Sequence, residues 1–289
     1  MTRFVVSLPI RRGDEGFEDP ATLAELVGAA EEAGFWGVTA PDHVVAPNAW
    51  AAAGGGERWF DPFVLLGFLA ARTRSIRLIT HIVVLPYRSP FFVAKAVASL
   101  DRLSDGRAVF GAGAGYLKEE FEILGVPFED RGARTDEYLR AIEVCWTQEH
   151  PEFSGEFASI HEAALEPKPV QQPRPPIWIG GNSLRAVRRT VELGDCWTPF
   201  VAEPDDVRNG LAHAEGLGRR VEAAAPLGRV QPEAPKRGGG VWGQGVAPRV
   251  REYADAGAGY VKCGFGGPDP EAWLANLRWF ATEVMPEFS

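Results

Sequence analysis

Four short stretches of this chain carry residue types that could do chemistry, and three of them fall where an apolar run gives way to a loop. Asp42-His43 sets a carboxylate beside an imidazole, a group whose ordinary pKa lies near neutrality and which suits proton transfer. Thr80-His81-Ile82 puts a second imidazole inside the apolar run from Ile76 to Leu85. Gly111-Ala112-Gly113-Ala114-Gly115-Tyr116 bares the backbone where a flat ligand can approach closely, next to a phenol. Gly180-Gly181-Asn182-Ser183 places two glycines and a capping residue ahead of a helix, which presents free N–H groups suited to phosphate. Each stretch also has a plainer reading. The histidines could be satisfied structural residues, the glycine ladder a tight strand-to-helix turn, and the Gly180 loop an ordinary connection. Glu119 and Glu120 could serve as acid or base, or could simply favour the dipole of a helix start. Arg131, Arg134 and Glu137 read as a surface ion-pair network. The sequence holds no Ser/His/Asp grouping, no Walker loop and no metal-ligand spacing, and the glycine ladder lacks the third glycine of a dinucleotide fingerprint.

The elements that must carry these stretches alternate along the chain. Residues 76–116 read as strand, helix, strand, with Ser89 as N-cap, Pro90 just inside the helix and Ser104-Asp105-Gly106 as the return turn. Strands joined this way lie parallel, and ligands bind at their carboxyl ends. Phe4–Leu8, Trp36–Ala40, Ile177–Ile179, Asp195–Pro199 and Tyr260–Phe265 read as further strands. Helices are expected at 20–33, from Asp61, through 139–146, up to Leu193, at 205–221, at 248–256 and at 270–284. That gives seven clear strands and an eighth hidden somewhere in 225–243. Eight such units predict an α/β fold of the (β/α)8 barrel type in one domain, residues 1–289, with an open doubly wound sheet as the alternative. Residues 44–59 have no clear pattern. Residues 150–176 form a proline-rich excursion expected to hold a small hairpin, and 223–245 is a weak or degraded region rich in Pro and Gly.

Composition narrows the partners. The 289 residues are 45% hydrophobic, ample for a large core, and the formal net charge of −9 argues against a nucleic-acid surface. No run approaches membrane-spanning length, and the N-terminal apolar stretch is too short for a signal peptide, so a cytoplasmic location is expected. Cys145, Cys196 and Cys263 are odd in number and far apart, which suggests core filling, not a disulfide framework or a metal cluster.

The block AKAVASLDRLSDGRAVFGAGAGYLKEEFEILGVPFEDRGARTDEYLRAIEVCW resembles the luciferase-like monooxygenases, in particular the branch that uses the deazaflavin coenzyme F420. The likeness extends upstream to EAGFWGVTAPDH and downstream to PKPVQQPRPPIWIGGNSLRAVRRTVELGDCWTP and AGAGYVKCGF. The resemblance implies a (β/α)8 barrel with an insertion matching 150–176, and a small-molecule oxidoreductase moving a hydride between F420 and an organic substrate. An FMN-dependent monooxygenase of the same fold is the alternative, and a cofactor-binding barrel without turnover is a second. It implies Asp42 and His43 beside the ring, and Thr80, His81 and Ile82 as a bulge under it with a cis bond at His81–Ile82. Gly111, Gly113, Gly115 and Tyr116 would line the ring edge and ribityl chain, and Gly180, Gly181, Asn182 and Ser183 would hold the phosphate. His43, then Tyr116, are the implied proton donors. A homodimer is expected, because members of the family commonly dimerise.

Overall fold

The computed structural model describes residues 1–9, 17, 19–56, 58–234 and 240–288. Eight parallel strands close on themselves: β1 (Arg3–Ser7), β2 (Gly37–Ala40), β3 (Arg77–Thr80), β4 (Ala108–Gly113), β5 (Ile177–Gly180), β6 (Cys196–Thr198), β7 (Glu222–Gln231) and β8 (Tyr260–Phe265). Closure runs through Ala223 beside Trp197 on one side of β7 and Ala225 beside Val261 on the other. Most strand residues are buried, as they must be when helices cover one face and a packed barrel interior the other. The covering helices are α1 (Pro20–Glu32), α2 (Pro62–Ala70), α3 (Pro90–Leu103), α4 (Arg131–Thr147), α5 (Leu184–Leu193), α6 (Pro204–Gly216), α7 (Val246–Asp255) and α8 (Pro270–Glu283). The large core lies between strands and helices.

Local chemistry starts these helices on time. Asp19 accepts from Thr22 N at 2.8 Å, Asp61 from Phe63 N at 2.9 Å and Asp269 from Ala272 N at 2.8 Å, each with proline just inside the helix. After α1 the chain turns at Gly34, whose φ of +83° a residue with a Cβ rarely adopts.

Inside the barrel a lower layer is filled by Val5, Ile79, Val109, Trp178, Cys196, Ala224 and Tyr260. At its lower edge, Trp36 stacks on Trp178 at 5.8 Å with rings nearly coplanar, and Tyr260 leans on both at 4.7 and 4.8 Å. Arg3 lies over the Tyr260 ring at 4.3 Å. This aromatic plug shuts the amino-terminal end.

Several expectations need revision. The apolar run Ile76–Leu85 is not one strand: β3 stops at Thr80, and a separate short strand, Val83–Val84, pairs with Ala112 and Gly113 of β4. The hidden strand is the ten-residue β7, which begins before the interval assigned to it, so the start of the segment read as weak or degraded completes the barrel. Residues 235–239 of that segment lie outside the described residues. α6 ends five residues early, at Gly216, because Gly218 turns the chain (φ +90°) to enter β7. Residues 44–59 contain two short helical turns, Asn48–Trp50 and Ala51–Gly55. The excursion 150–176 does hold a hairpin, Phe153–Ser154 against Ser159–Ile160. It is fastened by Glu137, which accepts from Phe157 N at 2.7 Å and Ala158 N at 2.8 Å, and by Asp101, which accepts from Val170 N at 2.7 Å.

Candidate active site

The carboxyl ends of the strands form the open mouth of the barrel, and all four stretches singled out by residue type come to it. Asp42 and His43 follow β2 but face different partners. The Asp42 carboxylate takes both guanidinium nitrogens of Arg88, at 2.6 and 2.8 Å, and Val84 N at 2.9 Å. Burial raises its pKa and the Arg88 bonds and charge only partly offset that. With both oxygens occupied, Asp42 clamps the loop after β3 to β2.

His43 is the better placed for chemistry. Its Nδ1 lies 2.8 Å from Oε2 of Glu120, a side chain of which nothing is exposed. Oε1 of Glu120 accepts from Val44 N at 2.7 Å and Val45 N at 3.3 Å. Burial works against the charge on Glu120, but the His43 bond and the two N–H donors outweigh it and hold the pKa below the usual value. Glu120 sits in the short helix Lys118–Leu124. Its carboxylate is therefore a partner for His43 and not merely a first-turn charge, whereas Glu119 is exposed. Trp50 and Trp59 flank the His43 ring at 4.5 and 4.8 Å, and Tyr116 meets it edge-on at 6.4 Å. A carboxylate on Nδ1 orients the imidazole and leaves Nε2 to give or take a proton.

On the facing side, the peptide His81–Ile82 is cis, where the family resemblance implied it. Thr80 Oγ1 donates to Gly111 O at 2.9 Å and accepts from Gly111 N at 2.8 Å, tying the residue before the bulge to β4. Ile82 spreads over two glycines: a Cβ at Gly180 would lie 2.9 Å from Ile82 Cγ2, and one at Gly113 would overlap its Cδ1. A side chain at either glycine would displace Ile82, because the bulge presses so close to β4 and β5. Gly115 needs its freedom too, with φ +78° and Val84 and Phe121 packed against it. Its carbonyl accepts from Arg131 Nε at 3.3 Å, so Arg131 braces the ladder. Arg134 pairs with Asp130 instead, at 2.7 Å, so the expected network of Arg131, Arg134 and Glu137 does not assemble.

Gly181 (φ +132°) turns the chain between β5 and α5, and its carbonyl accepts from Trp197 Nε1 at 2.7 Å. Asn182 is spent on the next loop, its Oδ1 accepting from Phe200 N at 2.8 Å, and Ser183 caps α5 through Ala186 N. What remains for a ligand is the row of helix-start N–H groups, which have no intrahelical acceptor.

One residue of the interior was not singled out by the sequence reading. Lys262 points inward from β8, 4% exposed, and donates to Thr198 Oγ1 at 2.7 Å and Pro199 O at 3.0 Å, with His81 Nε2 at 2.9 Å. Burial lowers its pKa from 10.5 to about 7. Between these values the unfolded chain holds a proton that the folded chain has released, so Lys262 makes stability rise with pH from about 7 to 10.5. We expect Lys262→Met to flatten that slope, a difference of at most about 5 kcal/mol, read from urea midpoints across the range. An unchanged slope would contradict the burial of a titrating lysine.

Among the described residues no three His, Cys, Asp or Glu side chains gather as a metal site, and no helix is long and apolar enough to cross a membrane. The three cysteines are free and buried.

Comparison with known proteins matches this architecture. An uncharacterized protein of Mycobacterium tuberculosis is 31% identical over 224 residues, 74% of this chain and 77% of the relative. An FMNH2-dependent dimethylsulfone monooxygenase of Pseudomonas putida is 29% identical over 207 residues, 67% of this chain and 55% of the relative. Among solved structures, the monooxygenase RslO1 of Streptomyces bottropensis superposes with a TM-score of 0.85 at 20% identity, covering 100% of both chains. The coenzyme F420-dependent tetrahydromethanopterin reductase of Methanopyrus kandleri does so at 0.79 and 17%, over 100% of this chain and 99% of the other, a likeness of fold. The family model for luciferase-like monooxygenases matches residues 2–231, so that the barrel, its bulge and its glycine ladder belong to an oxidoreductase of the luciferase-like monooxygenase family.

Proposed function

We propose that this oxidoreductase binds coenzyme F420 across the barrel mouth and moves a hydride between it and a small organic substrate. The observation that carries the reading is the bulge: Ile82, following a cis peptide, is spread on Gly113 and Gly180 and makes a shallow apolar shelf for a planar ring. Thr80 and His81 fix that shelf. Gly111, Gly115 and Tyr116 would border the ring edge and ribityl chain, and the N–H groups of Gly181, Asn182 and Ser183 the phosphate. Bound F420 supplies the two-electron chemistry. The chain's own role is to orient, exclude water and move protons. His43, oriented by Glu120, gives or takes the proton at Nε2, with Tyr116 as the second candidate; Asp42 acts by clamping the loop below.

A second reading is an FMN-dependent monooxygenase, favoured by the requirement of the Pseudomonas putida relative for FMNH2. Titration of the protein with F420 and with FMN, followed by absorbance, separates the two, with substrate-dependent oxygen consumption on supply of chemically reduced FMN as the second readout. Retention of F420 alone supports the first reading, retention of FMN with oxygen uptake the second, and retention of neither overturns both. His43→Ala should bind the cofactor normally and lose roughly 10²–10⁴-fold in turnover; unimpaired turnover would remove its role. We further infer a cytoplasmic homodimer, which sedimentation and cell fractionation test.

A further inference from the structure

Lys262 forms no ion pair with a carboxylate among the described residues, although it is 4% exposed. An ammonium has three protons, and its neighbours here are three acceptors: Thr198 Oγ1, Pro199 O and His81 Nε2. Thr198 Oγ1 accepts from Lys262 and lies 2.9 Å from the same His81 Nε2, toward which its own proton can turn. The Thr198 hydroxyl can either give or accept at that nitrogen, so the ammonium decides: a proton on Nε2 would face the Lys262 charge at 2.9 Å. While Lys262 is charged, Nε2 therefore offers its single lone pair and the ring proton sits on Nδ1. Among the described residues Nδ1 makes no hydrogen bond to another residue; the ring's further partner is the backbone of His81 itself, and His81 is only half-buried.

We propose that Lys262 is a positioning residue that, with Thr198, fixes His81 as its Nδ1–H tautomer, so that the bulge offers a fixed donor to an electron-rich oxygen or nitrogen of the ligand resting there. The ligand half of this statement rests on the reading of the mouth given above; the tautomer does not. Without its proton, Lys262 becomes an acceptor, and Nε2–H is then allowed. The wild-type tautomer should therefore shift as pH rises through about 7. The other titratable groups facing Lys262 are the Cys196 thiol on β6 and, one layer down, the Tyr260 phenol with Arg3 beside it. Burial holds the thiol well above its usual value and the phenol at about 12. His81 itself is held well below 6.5, by burial first and the Lys262 charge second. The remaining inward neighbours, Ser7 on β1, Thr39 on β2 and Pro226 on β7, do not titrate in this range.

Long-range ¹H–¹⁵N spectra of the imidazoles test this on the full chain without added cofactor, with the His81 signals assigned by their loss in His81→Gln. Below pH 7 the wild type should show an unprotonated Nε2. Lys262→Met should raise the Nε2–H share and let the ring take up a proton at higher pH, and Thr198→Val should shift the tautomer the same way. The amide spectrum reports whether each variant is folded, and Thr198→Val decides if Lys262→Met is not. A wild-type ring protonated on Nε2 below pH 7, or a tautomer unmoved in the folded variants, overturns the proposal. The F420 and FMN titrations succeed or fail independently of it.

Discussion

Gly111→Ala should be the most damaging single-methyl substitution in the barrel, costing about 3 kcal/mol or more and weakening cofactor binding at least tenfold. A Cβ there would overlap the carbonyl oxygen of Thr80, and that oxygen belongs to backbone, so no rotamer change makes room. The same step would break the paired bonds between Thr80 Oγ1 and the Gly111 N–H and C=O, at 2.8 and 2.9 Å. Strands β3 and β4 must then separate immediately ahead of His81, and the shelf built by Ile82 moves with them. Gly113→Ala is the informative contrast. Its Cβ would meet only the tip of Ile82, which can turn aside, so stability should fall less while the shelf is still disturbed. Urea midpoints and the absorbance titration measure both effects. If Gly111→Ala proves as stable as wild type, the close approach of β3 and β4 is wrong.

Replacing Glu120 should separate stability from catalysis. In Glu120→Ala the N–H groups of Val44 and Val45 and Nδ1 of His43 lose a common acceptor inside the protein, which should cost roughly 2–4 kcal/mol. Turnover should fall about 10²-fold, because the imidazole is no longer oriented. Glu120→Gln keeps an oxygen for Val44 and Val45 and removes the charge behind His43, so turnover should suffer more than stability. The acid limb of the stability curve provides a further check. Burial pushes the Glu120 pKa up, and His43 with the two N–H donors pulls it down further than that, leaving it below 4.5. The carboxylate's contribution is thus present above 4.5 and is lost as pH falls through the lower folded value; both variants should lack that portion of acid sensitivity. Kinetics indistinguishable from wild type in Glu120→Gln would leave His43 without its orienting partner.

The barrel was readable because its signals are local. Apolar runs such as Phe4–Leu8 and Ile177–Ile179, and the aspartates 19, 61 and 269 ahead of helices, each announce an element within a few residues. β7 escaped because Glu222-Ala223-Ala224-Ala225-Pro226-Leu227-Gly228 lacks the β-branched and aromatic side chains that mark strands. Ala224 fits the barrel interior while Ala223 and Ala225 face the covering helices, and the register shifts between Pro226 and Gly228, where φ reaches +80°. The site was only half legible for the opposite reason. The glycines and histidines advertise themselves by type, but the partner of His43 lies 77 residues away and that of His81 lies 181 away. Arg88 likewise finds Asp42 only through the fold. Lys262 did leave one local trace, a lone charge in the apolar run Tyr260-Val261-Lys262-Cys263.

The stacked Trp36, Trp178 and Tyr260 beneath the barrel interior bear on traffic as well as packing. With that end stoppered, the vessel has one doorway, and whatever enters first must be passed by whatever enters second. Under the proposed function, coenzyme and substrate would therefore have to enter and leave by the same side, and neither could be replaced from the opposite one.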